Sequence, residues 1–305
     1  MFDRLEKMNI LSYENSLRWS WAFALQSIAR VSGHRFVRIQ RHLGYELDQD
    51  LLDFFDLTLV QNVESLKQIK DKSKVVCRMG GMYIDEEHSS KRYDNPLEDC
   101  AAIISTNDEL HKVAQQINDN SFMIPNGVDL EIFKPMKKVE KQFTIGFAGN
   151  ILGNGLHYKG WLYYDQAMLR LLFETNMEIG HIECLFGHSQ IEHSKMPLEF
   201  YSRLDCLVLP SLAEGCSNVT MEALACGIPV ITTKVGYHGE NLIDGENVLF
   251  IERNAIDIAE KVKRLMNDKI LQKILSVNGR KFAERHHNII EISKRYDEIF
   301  ALAIK

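Results

Sequence analysis

A chain of 305 residues is long enough for two domains of ordinary size, and a composition of 45% hydrophobic and 26% charged residues excludes disordered and fibrous classes. The formal net charge of −6 gives no reason to expect nucleic acid as the main partner. No apolar run approaches the roughly 20 residues that a membrane-spanning helix needs, and no signal peptide pattern opens the chain. The six cysteines lack paired spacing and are predicted to be buried free thiols, so we expect a cytoplasmic protein.

The first half of the chain alternates short apolar runs with segments of helical periodicity. Strands are predicted at residues 8–13, 35–39, 56–61, 74–78 and 101–106. One helix is predicted at about 16–31. A second helix is predicted to be capped by Asn107-Asp108 and to run to residue 117. Strands separated by helices imply parallel pairing in a doubly wound sheet, in which ligands bind at the carboxyl ends of the strands.

A tight turn separates the two halves. A short strand at 121–124 runs into Pro125-Asn126-Gly127-Val128-Asp129, where proline and Asn-Gly favour a turn, and Phe133-Lys134-Pro135 follows. Residues 137–141 form a charged connector. The sequence therefore predicts that a first domain ends at residue 138 and a second begins at 139.

The second half repeats the alternation of strands and helices. Strands are predicted at 143–148, 182–186, 204–209 and 230–233, and helices at 161–174, 256–266, 269–278 and about 289–304. Between the last two strands, Ser217 or Asn218 can cap a short helix, Gly227 can end it in the left-handed conformation, and Pro229 prevents its continuation. The helix thus begins at the carboxyl end of a strand, where backbone N–H groups and the helix dipole favour an anion.

Glu214 and Glu222 are separated by seven residues within about fifty residues of matching context, from Tyr201 to Phe250. This pair resembles the E-x7-E motif of the retaining, nucleotide-sugar-dependent glycosyltransferases of family 4. The resemblance implies the GT-B fold, an α/β architecture of two Rossmann-like doubly wound domains facing across a cleft, here with a shortened N-terminal domain. It also implies transfer of a sugar to an acceptor hydroxyl with retained configuration, without a cofactor or an essential metal.

The segment from Ile124 to Pro135 resembles the family's link between its two domains, and the last predicted helix resembles the terminal helix that crosses back to the first domain. The chain is accordingly divided into an acceptor-side domain at 1–138, a nucleotide-sugar-binding domain at 139–286 and a terminal helix at 287–305.

The resemblance implies a role for each motif residue. The diphosphate of the donor would be held by Lys159 and by the backbone of residues 217–219, and the ribose hydroxyls by Glu222. Glu214 would orient the donor sugar and stabilise positive charge at its anomeric carbon. The predicted catalytic residues are Glu214 and Lys159; the predicted donor-binding residues are Gly149, Asn150, Lys159, Gly187, His188, Gly215, Cys216, Ser217, Asn218, Val219 and Glu222.

Three departures from the family pattern stand out. Asn150 occupies the position where an arginine usually follows the glycine, and residues 151–158 contain no arginine, so diphosphate neutralisation is weaker unless His157 or an arginine from elsewhere contributes. Glu14-Asn15-Ser16 stands in place of the glycine-rich loop after the first strand. The usual histidine of the first domain is absent from the stretch Cys77 to Gly81.

Alternatives remain at this point. Each motif residue alone could be an ordinary turn or helix-dipole residue. The whole chain could be a catalytically silent nucleotide-sugar-binding partner subunit, or a nucleotide-sugar epimerase on the same fold. The acceptor could be a glycan or a lipid-linked sugar. The basic and aromatic region from Arg18 to Arg41 could contact a membrane at its inner face or could be a solvated surface.

No metal site is predicted. One run of residues has the density of a metal site but lacks zinc-like spacing: His181, Glu183, Cys184, His188 and His193. His286 and His287 are predicted to lie at the surface.

Overall fold

The computed structural model describes residues 7–14, 20–40, 47–61, 63–80, 96–138, 142–174, 178–186 and 188–304. The chain forms two compact units. The first comprises Met1–Gly127 together with Ile289–Lys305, and the second comprises Val128–Asn288. The division falls inside the Asn126-Gly127-Val128 turn, somewhat before the predicted boundary at 138/139, and the terminal helix belongs to the first unit.

A parallel sheet of six described strands forms the first unit, in the order β2-β1-β3-β4-β5-β6. Its strands are β1 (Asn9–Glu14), β2 (Arg35–Gln40), β3 (Leu57–Val60), β4 (Val75–Met79), β5 (Ala102–Ser105) and β6 (Ser121–Met123). Its helices before the turn are α1 (Ser20–Val31), α2 (Gln49–Asp53), α3 (Val63–Leu66) and α4 (Asp108–Ile117). Asn107 caps α4 by accepting a hydrogen bond from the backbone N–H of Leu110, as its position before an acidic first turn favours.

The second unit contains a parallel sheet of five described strands in the order β11-β10-β9-β7-β8. Its strands are β7 (Phe143–Asn150), β8 (Ile179–Phe186), β9 (Cys206–Leu209), β10 (Val230–Thr233) and β11 (Leu249–Ile251). Its helices are α5 (Gly155–Tyr158), α6 (Trp161–Glu174), α7 (Met196–Glu199), α8 (Asn218–Ala225), α9 (Gly236–Asn241), α10 (Ala255–Asn267) and α11 (Lys269–His286), and α12 (Ile289–Ala303) returns to the first unit.

Both faces of the second sheet are buried, and β9 shows this residue by residue. Leu207 and Leu209 point into one core, which also contains Leu224 of α8. Cys206 and Val208 point into the opposite core, which also contains residues of α6 and α10. A continuous apolar run is therefore needed in such a strand, because alternating polar residues would be buried on the second face. The prediction of two doubly wound α/β domains is confirmed.

The terminal helix packs on the first unit through residues spaced about one turn apart. Ile292, Tyr296 and Phe300 are buried in the same core as residues of β1, β3 and β4. The buried Arg78 at the end of β4 donates from Nε to the Tyr296 hydroxyl at 3.0 Å and from Nη2 to the Asn126 side chain. These contacts join β4, the turn after β6 and α12 within the first unit.

The prediction that His287 lies at the surface is wrong. Its ring is fully buried and lies 5.1 Å from the ring of Tyr237, and its carbonyl accepts a hydrogen bond of 2.7 Å from the Val128 backbone N–H. The neighbouring His286 is exposed, as predicted. Of the cysteines, Cys184 is half-buried and the other five are buried, and all are free thiols.

Arg38, within the basic region from Arg18 to Arg41, has an acidic partner. Its Nε and Nη2 donate to the two carboxylate oxygens of the buried Glu14, each at 2.6 Å. Arg18 and Arg41 lie outside the described residues, so contact of this region with a membrane stays a prediction. Within the described ranges, no helix combines the length and apolar character needed to cross a membrane.

Candidate active site

The turn after β9 and the start of α8 carry the predicted motif. Ser217 is the N-cap of α8, with its Oγ accepting a hydrogen bond of 3.3 Å from the Thr220 N–H, so the choice between Ser217 and Asn218 falls on the serine. Gly227 follows the helix with a φ of +72°, the left-handed conformation that a glycine adopts without strain. Gly215 and Cys216 are buried between Glu214 and the cap.

Lys159 and Glu214 meet at the carboxyl edge of the second sheet. Lys159 lies at the end of α5, in the connection after β7, and Glu214 lies in the turn after the adjacent strand β9. The Lys159 Nζ is 2.5 Å from Glu214 Oε1, and the Ser211 Oγ donates to the same oxygen at 2.7 Å. The side chain of Glu214 is 10% exposed and that of Lys159 is 29% exposed, so the pair remains accessible from one side.

The charge of Glu214 follows from two opposing effects. Burial raises the pKa of its carboxyl group, but the positive charge of Lys159 and the hydrogen bonds from Lys159 and Ser211 outweigh burial, and the net pKa is lowered. Glu214 is therefore ionised at neutral pH. An ionised carboxylate at a sheet edge can accept hydrogen bonds from sugar hydroxyls and can stabilise a developing positive charge.

The connection that carries Lys159 is pressed against the strand end that precedes Glu214. Gly160 has a φ of +69°, and a Cβ at this position would overlap the carbonyl oxygen of Pro210. The backbone N–H of Leu212 donates to the Tyr158 carbonyl at 2.7 Å. Only glycine permits this approach, which places the lysine beside the glutamate.

Glu222 lies within α8, and both of its carboxylate oxygens accept hydrogen bonds. The hydroxyl of Tyr201 donates to Oε2 at 2.8 Å, and Nε2 of His193 lies 2.8 Å from Oε1. Burial lowers the pKa of His193, but the negative charge of Glu222 and its hydrogen bond outweigh burial and raise it overall. Phe133 packs against both donors, with ring centroids 5.2 Å from His193 and 5.9 Å from Tyr201.

His238, at the start of α9, is fully buried near the charged pair. Its Nδ1 lies 3.2 Å from the Thr232 Oγ1, and that hydroxyl donates its hydrogen to the Leu209 carbonyl at 3.0 Å. Nδ1 must therefore carry the imidazole hydrogen, and Nε2 has no hydrogen-bond partner among the described residues. Burial lowers the pKa of His238 to about 4, although the charge of Glu214 acts in the opposite direction.

The remaining predicted donor residues lie at the same sheet edge or outside the described residues. Gly149 and Asn150 end β7, and the Asn150 Oδ1 accepts from the Leu152 N–H at 2.9 Å, so this side chain shapes the loop. His188 follows β8 and is exposed. Gly187 lies outside the described residues. The ends of β7, β8 and β9 are neighbours in the sheet, which brings their loops to one edge.

Arg253 is part of this edge and was not predicted from the sequence. It follows β11, its Nε donates to the Pro210 carbonyl at 3.0 Å, and its Nη2 donates to the His157 carbonyl. Its guanidinium also lies over the ring of Tyr163 at 4.9 Å. Arg253 thus lies beside the loop that contains His157, and its hydrogen bonds go to backbone carbonyls. No local pattern in the sequence identifies it.

The described part of the chain contains no group of three or more histidine, cysteine, aspartate or glutamate residues that could hold a metal ion.

Residues 185–282 match the family model of the glycosyl transferases group 1, and this segment contains Glu214, the α8 cap and Glu222. An uncharacterized glycosyltransferase of Methanocaldococcus jannaschii is 30% identical over 212 residues, which cover 62% of this chain and 57% of that protein. The capsular polysaccharide biosynthesis glycosyltransferase CapM of Staphylococcus aureus is 31% identical to this chain over 185 residues, covering 52% of the chain and 48% of CapM.

The chain spans about half the length of these two curated relatives. Its fold is similar over nearly the whole chain to that of the HepE protein of Anabaena, solved in complex with UDP and glucose. The TM-score is 0.74, the identity is 14%, and the match covers 96% of this chain and 99% of that one. That likeness establishes the GT-B fold.

Proposed function

We propose that this chain transfers a sugar from a nucleoside diphosphate sugar to an acceptor hydroxyl with retention of the anomeric configuration. The observation that carries the proposal is the contact between Lys159 and Glu214 at the carboxyl edge of the second sheet, in the same turn that leads to the N-terminus of α8. The cation and the backbone donors can then bind a diphosphate, and the ionised carboxylate can bind the sugar attached to it.

The diphosphate would be bound by the Lys159 ammonium and by backbone N–H groups in the first turn of α8. Backbone N–H groups in the first turn of a helix have no partner within the helix, and the helix dipole favours an anion there. When the Lys159 ammonium turns from Glu214 to a phosphate oxygen, it exchanges one anionic partner for another, and Glu214 keeps the hydrogen bond from Ser211. The exchange also frees Glu214 for the sugar.

Glu214 would act on the sugar itself. As a carboxylate that keeps the hydrogen bond from Ser211, it accepts hydrogen bonds from sugar hydroxyls and stabilises the positive charge that develops at the anomeric carbon as the nucleoside diphosphate departs. Lys159 neutralises the departing diphosphate in the same step. All the charge that this mechanism requires comes from side chains and backbone groups, so it needs no essential metal.

The ribose of the donor would be held by Glu222. A carboxylate close to the diphosphate would repel it, so its favourable partners are the two ribose hydroxyls. The relatives support the substrate class: HepE of Anabaena was solved with UDP and glucose, and CapM is described as acting in capsular polysaccharide biosynthesis. We therefore propose a glycan or a lipid-linked sugar as the acceptor.

The test is a binding and transfer assay on the purified full chain. Thermal shifts are measured with UDP-, GDP-, ADP- and dTDP-sugars, because a donor at about 100 times its dissociation constant stabilises the folded state by about 2.7 kcal/mol. Glu222→Ala should weaken donor binding, and Glu214→Ala should reduce turnover more than binding. Glu260→Ala, which changes an exposed glutamate of the same unit, is the matched control. Unchanged kinetics in both motif variants would refute the assignment.

A second function is favoured by one observation. The Asn150 side chain is engaged by the loop backbone, and Arg253 donates to backbone carbonyls, so Lys159 supplies the side-chain charge for the diphosphate in our proposal. A chain that binds donors without transferring sugar would be a nucleotide-sugar-binding partner subunit. Donor binding combined with no detectable transfer to any acceptor in the assay would identify that function.

A further inference from the structure

The Glu222 carboxylate is oriented by hydrogen bonds from two side chains. Each of its oxygens accepts one hydrogen bond, from Tyr201 and from His193, and a carboxylate offers about four lone-pair positions. One position on each oxygen is therefore left. Two remaining acceptor positions on one rigid group match two neighbouring hydroxyls, as on a ribose.

We propose that His193 is a positioning residue for the donor: with Tyr201 it holds the Glu222 carboxylate in the orientation that accepts both hydroxyls of the donor ribose. This inference rests on the proposed function, because it assumes that a nucleoside diphosphate occupies the site. It goes beyond that function by assigning a role to a residue outside the E-x7-E motif. It also predicts that loss of this residue weakens binding of the donor's ribose hydroxyls.

The surroundings of His193 support a fixed geometry. Its ring packs at an interplanar angle of 48° against the buried Phe133, which also packs on Tyr201. The carbonyl of Phe133 accepts a hydrogen bond of 2.9 Å from Arg280 Nη1, and the same nitrogen donates to the Ala225 carbonyl at the end of α8 at 2.6 Å. The helix that carries Glu222 and both of its donors are thus fastened to one segment, which limits rotation of the carboxylate.

The charge that acts on the pKa of His193 is that of Glu222. Glu222 faces it from α8, and Tyr201 faces the same carboxylate from the turn before β9. Cys184 of β8 accepts from the Ile191 N–H two residues away. In the chain around His193, Glu192 and Lys195 pair with each other at 3.8 Å. Glu222 is therefore the charged group that His193 holds in place by its hydrogen bond.

The matched variants change one property at a time. His193→Leu removes the donor to Glu222 and keeps a side chain of similar volume. His193→Gln keeps an N–H donor near the position of Nε2. Tyr201→Phe removes only the hydroxyl that donates to the other oxygen. His181→Leu makes the same substitution at a histidine on β8 whose side chain is 51% exposed, and serves as the control.

The experiment measures dissociation constants by calorimetry for UDP and for 2′,3′-dideoxy-UDP, which lacks both ribose hydroxyls, and repeats the pair with the GDP and ADP forms. His193→Leu should weaken UDP about tenfold, or about 1.4 kcal/mol, and weaken the dideoxy form less than about twofold. His193→Gln should recover most of the loss, Tyr201→Phe should show the same selectivity for the hydroxylated nucleotide, and His181→Leu should bind both nucleotides as the wild type does.

The outcomes separate the inference from the function it rests on. Equal losses for the two nucleotides in His193→Leu would show a general structural role and would overturn the inference, while the proposed function would stand. Full UDP affinity in both His193→Leu and Tyr201→Phe would overturn it as well. If the wild type binds none of the three nucleoside diphosphates, the proposed function fails, and this inference fails with it.

Discussion

The buried His238 makes the stability of the second unit depend on pH. In the folded state the ring has no contact with water, and burial holds its pKa at about 4, whereas a histidine in an unfolded chain has a pKa of about 6.5. The folded-state pKa is depressed, so between these values the unfolded chain binds a proton that the folded chain does not. Stability is therefore fully present above pH 6.5 and is lost as pH falls toward 4.

The size of this effect follows from the two pKa values. Between pH 7.5 and pH 5, protonation of the unfolded state reduces the free energy of unfolding by about 2 kcal/mol, with RT of about 0.6 kcal/mol. The variant His238→Asn keeps an N–H donor toward Thr232 but carries no titrating ring. Its overall stability is lower because a cavity forms, yet its difference from the wild type should shrink by about 2 kcal/mol over this pH range.

The assay must report on the second unit alone, because two units need not unfold together. Hydrogen exchange of peptides from β9 and β10, followed by mass spectrometry at pH 5 and pH 7.5 with correction for intrinsic exchange, provides that report. His286→Asn is the control, since it removes an exposed histidine of the same unit. A difference between wild type and His238→Asn that stays constant with pH would refute the reasoning, as would an equal change in the control.

Three further predictions concern the geometry around the charged pair. Gly160→Ala should destabilise the protein by more than the roughly 1–2 kcal/mol of a left-handed alanine and should weaken UDP binding; Gly245→Ala has a similar φ of +74° in open space, so equal urea midpoints for the two variants would contradict the overlap argument. Arg253→Lys keeps the charge but loses the bridge between two carbonyls, and should lower kcat/KM about tenfold; wild-type steady-state kinetics would exclude a positioning role. Ser211→Ala removes a hydrogen bond that lowers the Glu214 pKa, so the acidic limb of the pH–rate profile should move to higher pH, and an unmoved limb would contradict this origin of the shift.

Local sequence signals were sufficient for many of the elements. The helix α6 and the strand β10 have the bounds that the sequence predicts, because a left-handed glycine precedes α6 and a β-branched run forms β10. The helix α9 was not predicted, since its sequence contains two glycines and an asparagine, which are poor helix formers. Its formation is explained by burial of Tyr237 and His238 rather than by propensity.

The helix α11 shows how packing between helices overrides a local stop signal. The sequence predicts an end at Asn278, before Gly279, yet the helix continues to His286. Gly279 is the point at which α11 approaches α8, because a Cβ there would lie 2.7 Å from a methyl group of Leu224. A glycine that locally favours a helix end is thus required in the middle of this helix for close packing, and that requirement depends on a residue far away in the chain.

The residues of the candidate site likewise fall into those that local sequence predicts and those that packing brings together. Glu214, the Ser217 cap and Glu222 follow from one short stretch of sequence, because a turn and a helix cap are local features. Their partners are Lys159, His193, Tyr201 and Arg253, which come from other connections of the same unit. A parallel sheet brings the carboxyl ends of all its strands to one edge, so the order of the strands narrows the choice to the loops at that edge. Which side chain in those loops reaches which carboxylate depends on packing, such as the contact of Gly160 with the strand end before Glu214, and packing of that kind has no signature in the local sequence.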